Sequence, residues 1–274
     1  MNNSNTNGRK VNYQVSGSGD PIVLIHGMGS SYREWDTLTP DLHSHGYQTF
    51  ALDLLGHGES LKPADPQQYH IQAYVDHAEA WIESLELQSP FPILAHSMGS
   101  YIALKYALRH PEKISRMVLV DPFYDREQLS LLLKLAIHKP DVSATILEAV
   151  PIWVFEPLMK INPSVAANLN FKMVHRMAVD MIQTHPYTVY TAPTIEDITP
   201  HLGEIQQETL VIWGEMDMTL SPRSFQPFVE HLPNGHSFPV PWTGHTPHLT
   251  KSKLVKEQIL LFLQASCKAG QAAR

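Results

Sequence analysis

The chain has a single cysteine, Cys267, so it cannot close a disulfide on itself, and a lone thiol points to a reducing compartment. It has no apolar run long enough to cross a bilayer. Its opening, MNNSNTNGRK, lacks the apolar stretch of a secretory signal. Charge is sparse at 17% of residues, the net charge is −7, and Lys and Arg form no run. That balance argues against nucleic acid and anionic membranes as partners. Internal repeats are missing, and low complexity is confined to the Asn-rich start. The expectation is a cytoplasmic globular protein whose residues 1–8 and 268–274 are frayed tails. Oligomeric state leaves no trace in the sequence.

What is present is an ordinary core-forming composition, 43% hydrophobic over 274 residues, enough for one large domain carrying an insertion. Short apolar runs alternate with longer amphipathic ones through the first half. IVLIHG (22–27), YQTFALDLLGHG (47–58), PILAHSMG (92–99) and RMVLVDP (116–122) read as buried strands ending in Gly or Pro. Between them, 70–87 and 97–112 carry helical patterns. Strands alternating with helices specify an α/β fold with a mostly parallel sheet covered on both faces. From 123 to 200 the strands stop, and segments rich in Leu, Ile, Met, aromatics and Pro take over. Strand character returns at ETLVIWGEMD (208–217) and HSFPVPWTGH (236–245), before a last amphipathic helix around 248–265. The expected organisation is a core of residues 1–122 and 201–274, split by a helical cap at 123–200.

In open parallel sheets, functional groups gather at the carboxyl ends of strands. Those ends here hold His26-Gly27-Met28-Gly29, Ser97, Asp217 and Gly244-His245. A serine hydroxyl is too weak an acid to attack a carbonyl unaided at neutral pH, so a base must take its proton. His245 is the candidate base, and Asp217 the group that would fix its tautomer. Ser97 sits in AHSMG, where Ala95 occupies a place that a sharp strand-to-helix turn usually gives to glycine. The requirement is a small residue, and alanine exceeds glycine by one methyl.

The order Ser, Asp, His with these strand-end motifs resembles the α/β-hydrolase fold superfamily, over about residues 10 to 265. The resemblance implies a capped serine hydrolase that works through an acyl-enzyme and needs no metal or organic cofactor. It places the oxyanion hole at the backbone N–H groups of Met28 and Met98. It reads Asp53 and Ser60 in DLLGHGES as loop-stabilising and His26 as an orienting group. Asp121 occupies the family's other position for the acid, with Asp217 preferred.

A small carboxylic ester with an apolar acyl or aryl group is the expected substrate. Tyr32, Trp35, Trp153 and Met177 are candidate pocket residues. Related dehalogenases and epoxide hydrolases carry an aspartate where this chain has Ser97, which disfavours those reactions. Carbon–carbon hydrolases of meta-cleavage products and a non-catalytic ligand-binding member of the fold stay open. The His245/His248 spacing suits metal ligation, but the sequence shows no carboxylate or thiolate partner for it, so no metal is expected.

Overall fold

The computed structural model describes residues 2–6, 9–161 and 169–271. Eight strands among them form one sheet: β1 (Asn2–Thr6), β2 (Arg9–Gly17), β3 (Asp20–Ile25), β4 (Tyr47–Leu52), β5 (Phe91–His96), β6 (Ile114–Val120), β7 (Glu208–Gly214) and β8 (Gly235–Val240). Their spatial order is β1-β2-β4-β3-β5-β6-β7-β8. β1 and β2 run antiparallel at one edge, and β4 through β8 are parallel. Expected and observed fold class agree.

The helices flank this sheet because successive strand residues point to opposite faces. In β3, Val23 and Ile25 feed a core under α2 (Ile71–Ser84) and α3 (Met98–Arg109). Ile22 and Leu24 feed a second core under α1 (Thr39–Ser44) and the C-terminal helix Ser252–Gln271. That helix buries Val255, Ile259 and Leu263, spaced by one turn, as a surface helix does on its sheet-facing stripe. Each such side chain, fully buried, contributes ~1.5–3 kcal/mol.

The segment between β6 and β7 contains α4 (Leu131–Ile137), α5 (Pro140–Ala149), α6 (Ile152–Ile161) and α7 (Phe171–Gln183), with 3-10 turns after them. Its described residues hold no strand beyond an isolated bridge from Leu129 to Leu220. Met159, Val174 and Ala178 form a small core of its own. It is tied to the sheet's carboxyl edge by Arg33–Asp180 at 2.6 Å and Arg176–Asp36 at 2.8 Å. The Gly56 carbonyl also accepts a 2.8 Å bond from the His185 amide.

Of the expected tails, residues 2–6 pair with β2 as an edge strand and the last helix runs to Gln271, while residues 1, 7–8 and 272–274 lie outside the described residues. β2 itself, whose Val11, Tyr13 and Val15 alternate in the period of a half-buried strand, is an element the sequence reading passed over.

Candidate active site

Ser97 sits between β5 and α3 with φ 49° and ψ −120°, a backbone conformation that L-residues seldom adopt. The turn is over-determined by its surroundings. The Ser97 amide donates to Val120 O at 2.9 Å, and Ser97 O accepts from the amides of Ser100 and Phe123. The tight approach falls at Gly99, where a β-carbon would stand 2.6 Å from the carbonyl oxygens of Ile25 and His26. Ala95 lies inside β5, fully buried and paired with Ile25 and Leu119. Its methyl is ordinary sheet packing.

Three side chains from separate loops meet at this turn. Ser97 Oγ lies 3.0 Å from His245 Nε2, and His245 Nδ1 lies 2.7 Å from Asp217 Oδ2. Asp217 is buried, and its other oxygen accepts the amides of Thr219 at 2.7 Å and Leu220 at 3.1 Å. Those bonds leave Oδ2 aimed at the imidazole, which places the proton on Nδ1 and the lone pair of Nε2 toward Ser97. Asp121 is next to this carboxylate. Its Oδ1 accepts from Gly214 N at 2.9 Å. Burial first, and then the charge of Asp217, push its carboxyl well above the usual carboxylate range.

The loop after β3 is anchored at several points. Gly27 N donates to Glu34 Oε2 at 3.1 Å and Gly29 N to His57 Nε2 at 3.0 Å, so the amides flanking Met28 are both held. His26 accepts from Leu54 N at 3.0 Å and donates to Gly27 O at 2.7 Å, a loop-orienting role. Burial drives His57 down to about 3, so it stays neutral and can accept the Gly29 amide. Asp53 holds the next turn, accepting from Tyr32 N, Asn12 Nδ2 and Glu59 N. Ser60 closes it by donating to Asp53 O at 2.6 Å. Met98 is the first residue of α3, so its amide lies at the positive end of that helix.

The four pocket candidates lie in different surroundings. Trp35 is buried in the core beneath α1 and the C-terminal helix, with its ring 5.4 Å from that of His248. Tyr32 packs against the rim of that core. Trp153 is 74% exposed on α6, and Met177 packs on the small core of the helical segment. Met181 of α7 packs against the Met28 loop, where its thioether end leaves no room for a methyl on Gly29. Beside it lies a cavity of about 340 Å3, lined by Leu147, Met181 and Ile182 but also by Glu148 and His185. Ser97, Asp217 and His245 are not part of that lining.

Glu34, His96 and His248 form a further buried group that the sequence reading missed. Glu34 Oε1 lies 2.6 Å from His96 Nδ1 and 2.9 Å from His248 Nε2, so the carboxylate partner His248 lacked in the sequence is supplied by Glu34. The three residues offer ligand atoms within 4.8 Å of one another. The 2.9 Å separation is that of a hydrogen bond and the 2.6 Å one that of a close ion pair. Ligands sharing a tetrahedral zinc at ~2.0–2.1 Å stand ~3.3 Å apart, so the group fits protons better than an ion.

Residues 20–155 match the sequence family described as the alpha/beta hydrolase fold. A 116-residue segment is 37% identical to 2-hydroxymuconate semialdehyde hydrolase of Pseudomonas sp. (strain CF600), covering 41% of this chain and 40% of that protein. The chain thus spans well under half the length of that relative. A thermophilic esterase from Thermogutta terrifontis superimposes with TM-score 0.79 at 19% identity, over 94% of this chain and 95% of its own. A meta-cleavage product hydrolase from Pseudomonas fluorescens IP01 does so with TM-score 0.81 at 21% identity, over 97% and 98%. At these identities the structural likeness is one of fold. Among the described residues, no helix is long and apolar enough to cross a membrane.

Proposed function

We propose, for a chain that belongs to the α/β-hydrolase fold superfamily, a serine hydrolase acting on a small carboxylic ester with an apolar acyl or aryl group. The observation that carries this reading is the unbroken line of contacts from Ser97 through His245 to Asp217, at 3.0 and 2.7 Å. His245 Nε2 takes the Ser97 proton as Oγ attacks the ester carbonyl. The tetrahedral oxyanion is held by the amides of Met28 and Met98, and each such donor is worth ~10²–10³ in rate. His245 then gives its proton to the leaving alcohol, and the acyl group stays on Ser97. Water, deprotonated by the same nitrogen, releases the acid and restores the serine. Asp217 keeps the imidazole in one tautomer and stabilises its cation in both half-reactions.

The helical segment 123–200 serves as the cap in this reading. Met181 and Met28, on either side of Gly29, supply adaptable apolar surface for the acyl or aryl group. The lone Cys267 supports a cytoplasmic setting.

A second reading, hydrolysis of a carbon–carbon bond in a meta-cleavage-type diketone, draws on the likeness to the two Pseudomonas hydrolases. Both readings use the same serine. A turnover screen over aryl esters of rising acyl length, with lactones and a vinylogous diketone included, separates them. Ester cleavage supports the first reading, and cleavage of the diketone alone replaces it with the second. Reaction of a fluorophosphonate probe with wild type and not with Ser97→Ala tests what they share.

A further inference from the structure

Ser97 and His245 must meet within hydrogen-bonding distance although their loops leave different strands and are 148 positions apart. Beside those loops lies the buried group of Glu34, His96 and His248. Its members are placed on the three segments that carry the reactive groups. Glu34 is in the turn after the Met28 loop and accepts the Gly27 amide on Oε2 at 3.1 Å. His96 immediately precedes Ser97, and its Nε2 donates to the main-chain carbonyl of His245 itself at 2.8 Å. His248 follows His245 by one turn, in the short helix Pro247–Thr250, and its Nε2 donates to Glu34 Oε1 at 2.9 Å. The imidazole rings pack together: His96 is 5.0 Å from His245 and 4.7 Å from His248, centroid to centroid.

The charges follow from these contacts. Burial pushes His96 down, but the carboxylate of Glu34 more than offsets it and leaves the imidazole raised. Burial pushes Glu34 up, and the charge of His96 with the His248 and His96 bonds reverses that, holding it well below its usual range. His248 falls to about 4, chiefly by burial, and is neutral. Among the described residues, its Nδ1 has no hydrogen-bond partner, as suits an unprotonated nitrogen in a buried site. Glu34 and His96 are thus an ion pair, with Nδ1 of His96 off the line of an ideal N–H bond. An ion pair in a protein interior recovers its desolvation cost poorly, and packed apolar residues there are often as stable. What it adds is direction: one carboxylate ties the Gly27 amide, the residue before Ser97 and the helix after His245 to a single point.

We propose that Glu34, His96 and His248 are positioning residues, a buried brace that sets the height of His245 over Ser97 through the His245 carbonyl. This rests on the serine-hydrolase reading and deepens it. None of the three touches substrate in the proposal. Their effect is on how often Oγ and Nε2 are in register, and a misplacement of ~1 Å there costs about 10²-fold in rate.

The two bonds of His96 can be separated by substitution. His96→Gln keeps an amide donor where Nε2 stands and so retains the bond to the His245 carbonyl. His96→Asn keeps a donor near Glu34 and loses the carbonyl. The readouts are the second-order rate of fluorophosphonate reaction at Ser97, kcat and KM for an aryl ester that the wild type turns over, and Tm. The brace predicts that His96→Asn slows phosphonylation and kcat by about 10²-fold with KM near wild type, while His96→Gln stays within about threefold. A purely structural role moves Tm in both variants and leaves the phosphonylation rate of folded protein alone, which overturns the proposal. Should His96→Asn fail to fold, Glu34→Gln, of the same shape without the charge, carries the test. It is expected to slow phosphonylation at least about tenfold, and a rate equal to wild type in folded protein again overturns the brace. Failure of the wild type to react with the probe removes the serine-hydrolase reading beneath it, a result distinct from either.

Discussion

Replacing Asp121 by asparagine exchanges a buried carboxyl for a neutral group of nearly the same shape. The positive φ of 42° at this position is one that asparagine tolerates better than most residues. Burial and the charge of Asp217 push the Asp121 carboxyl well above its usual range, toward the neutral form that asparagine mimics. If Asp217 alone supports His245, kcat on an aryl ester changes by less than about threefold, or ~0.7 kcal/mol in barrier. Asp217→Asn, which leaves His245 Nδ1 without its acceptor, should cost ~10⁴-fold, ~5.5 kcal/mol, as the equivalent change does in the serine-protease triad. Stability gives a second readout. The Asp121 pKa is raised on folding, so its contribution is whole below its unfolded value and is lost as pH rises through the folded one. Asp121→Asn removes that loss, and urea titrations should find the variant gaining on wild type at neutral pH, with the gain shrinking toward pH 4. A crippled Asp121→Asn beside a nearly normal Asp217→Asn would refute the assignment of the acid.

Other consequences can be checked with the same preparations. Ser97→Ala and His245→Ala should each lower kcat by ~10⁶, the loss seen when such a unit is broken in subtilisin, and a loss below about tenfold for His245→Ala would mean another base. Ala95→Gly should leave kcat unchanged and cost about 0.5–1 kcal/mol by urea titration, the usual penalty of glycine inside a strand. Gly99→Ala should fail to give soluble enzyme, because the clash is with backbone carbonyls that cannot move aside. His57 and His248, at about 3 and about 4 when folded, contribute stability that is whole above pH 6.5 and drains as pH falls toward 4. Each contributes up to about 1.4 kcal/mol per pH unit as pH falls, and Asp121, raised on folding, acts in the opposite direction, so Asp121→Asn should lose stability more steeply with falling pH than wild type. Urea-unfolding free energies that are flat from pH 6.5 to 4.5 in both proteins would contradict this.

Much of the architecture was legible because period and punctuation agree. The apolar runs ending in HG, HSMG, VDP and WGEMD fall on strands β3, β5, β6 and β7, and each ends at the sheet edge where the candidate groups meet. The meeting of Ser97, Asp217 and His245 was readable from their order and strand-end placement. The half-buried strand Arg9–Gly17 was missed although its alternation is plain. Pocket residues were not readable, because proximity in sequence to the Met28 loop says nothing about direction: Trp35 turns into the core from the segment that puts Glu34 behind the site. Met181 and Glu34 reach the Met28 loop from 152 and 7 positions beyond Gly29 and Gly27. Only the folded chain reveals those distances. A charged residue beside a tryptophan in SSYREW, and a histidine directly before the serine, were the available signals for the buried brace.

The central claim is that Ser97 carries the acyl group between two half-reactions. Rapid mixing with a p-nitrophenyl ester, acid quench and intact-mass measurement test it directly, with peptide mapping to place the adduct. An acyl-enzyme on Ser97 gives a burst of p-nitrophenol and one acyl group per chain on that residue, both lost in Ser97→Ala. Full turnover with no adduct, no burst and undiminished activity in Ser97→Ala would contradict it.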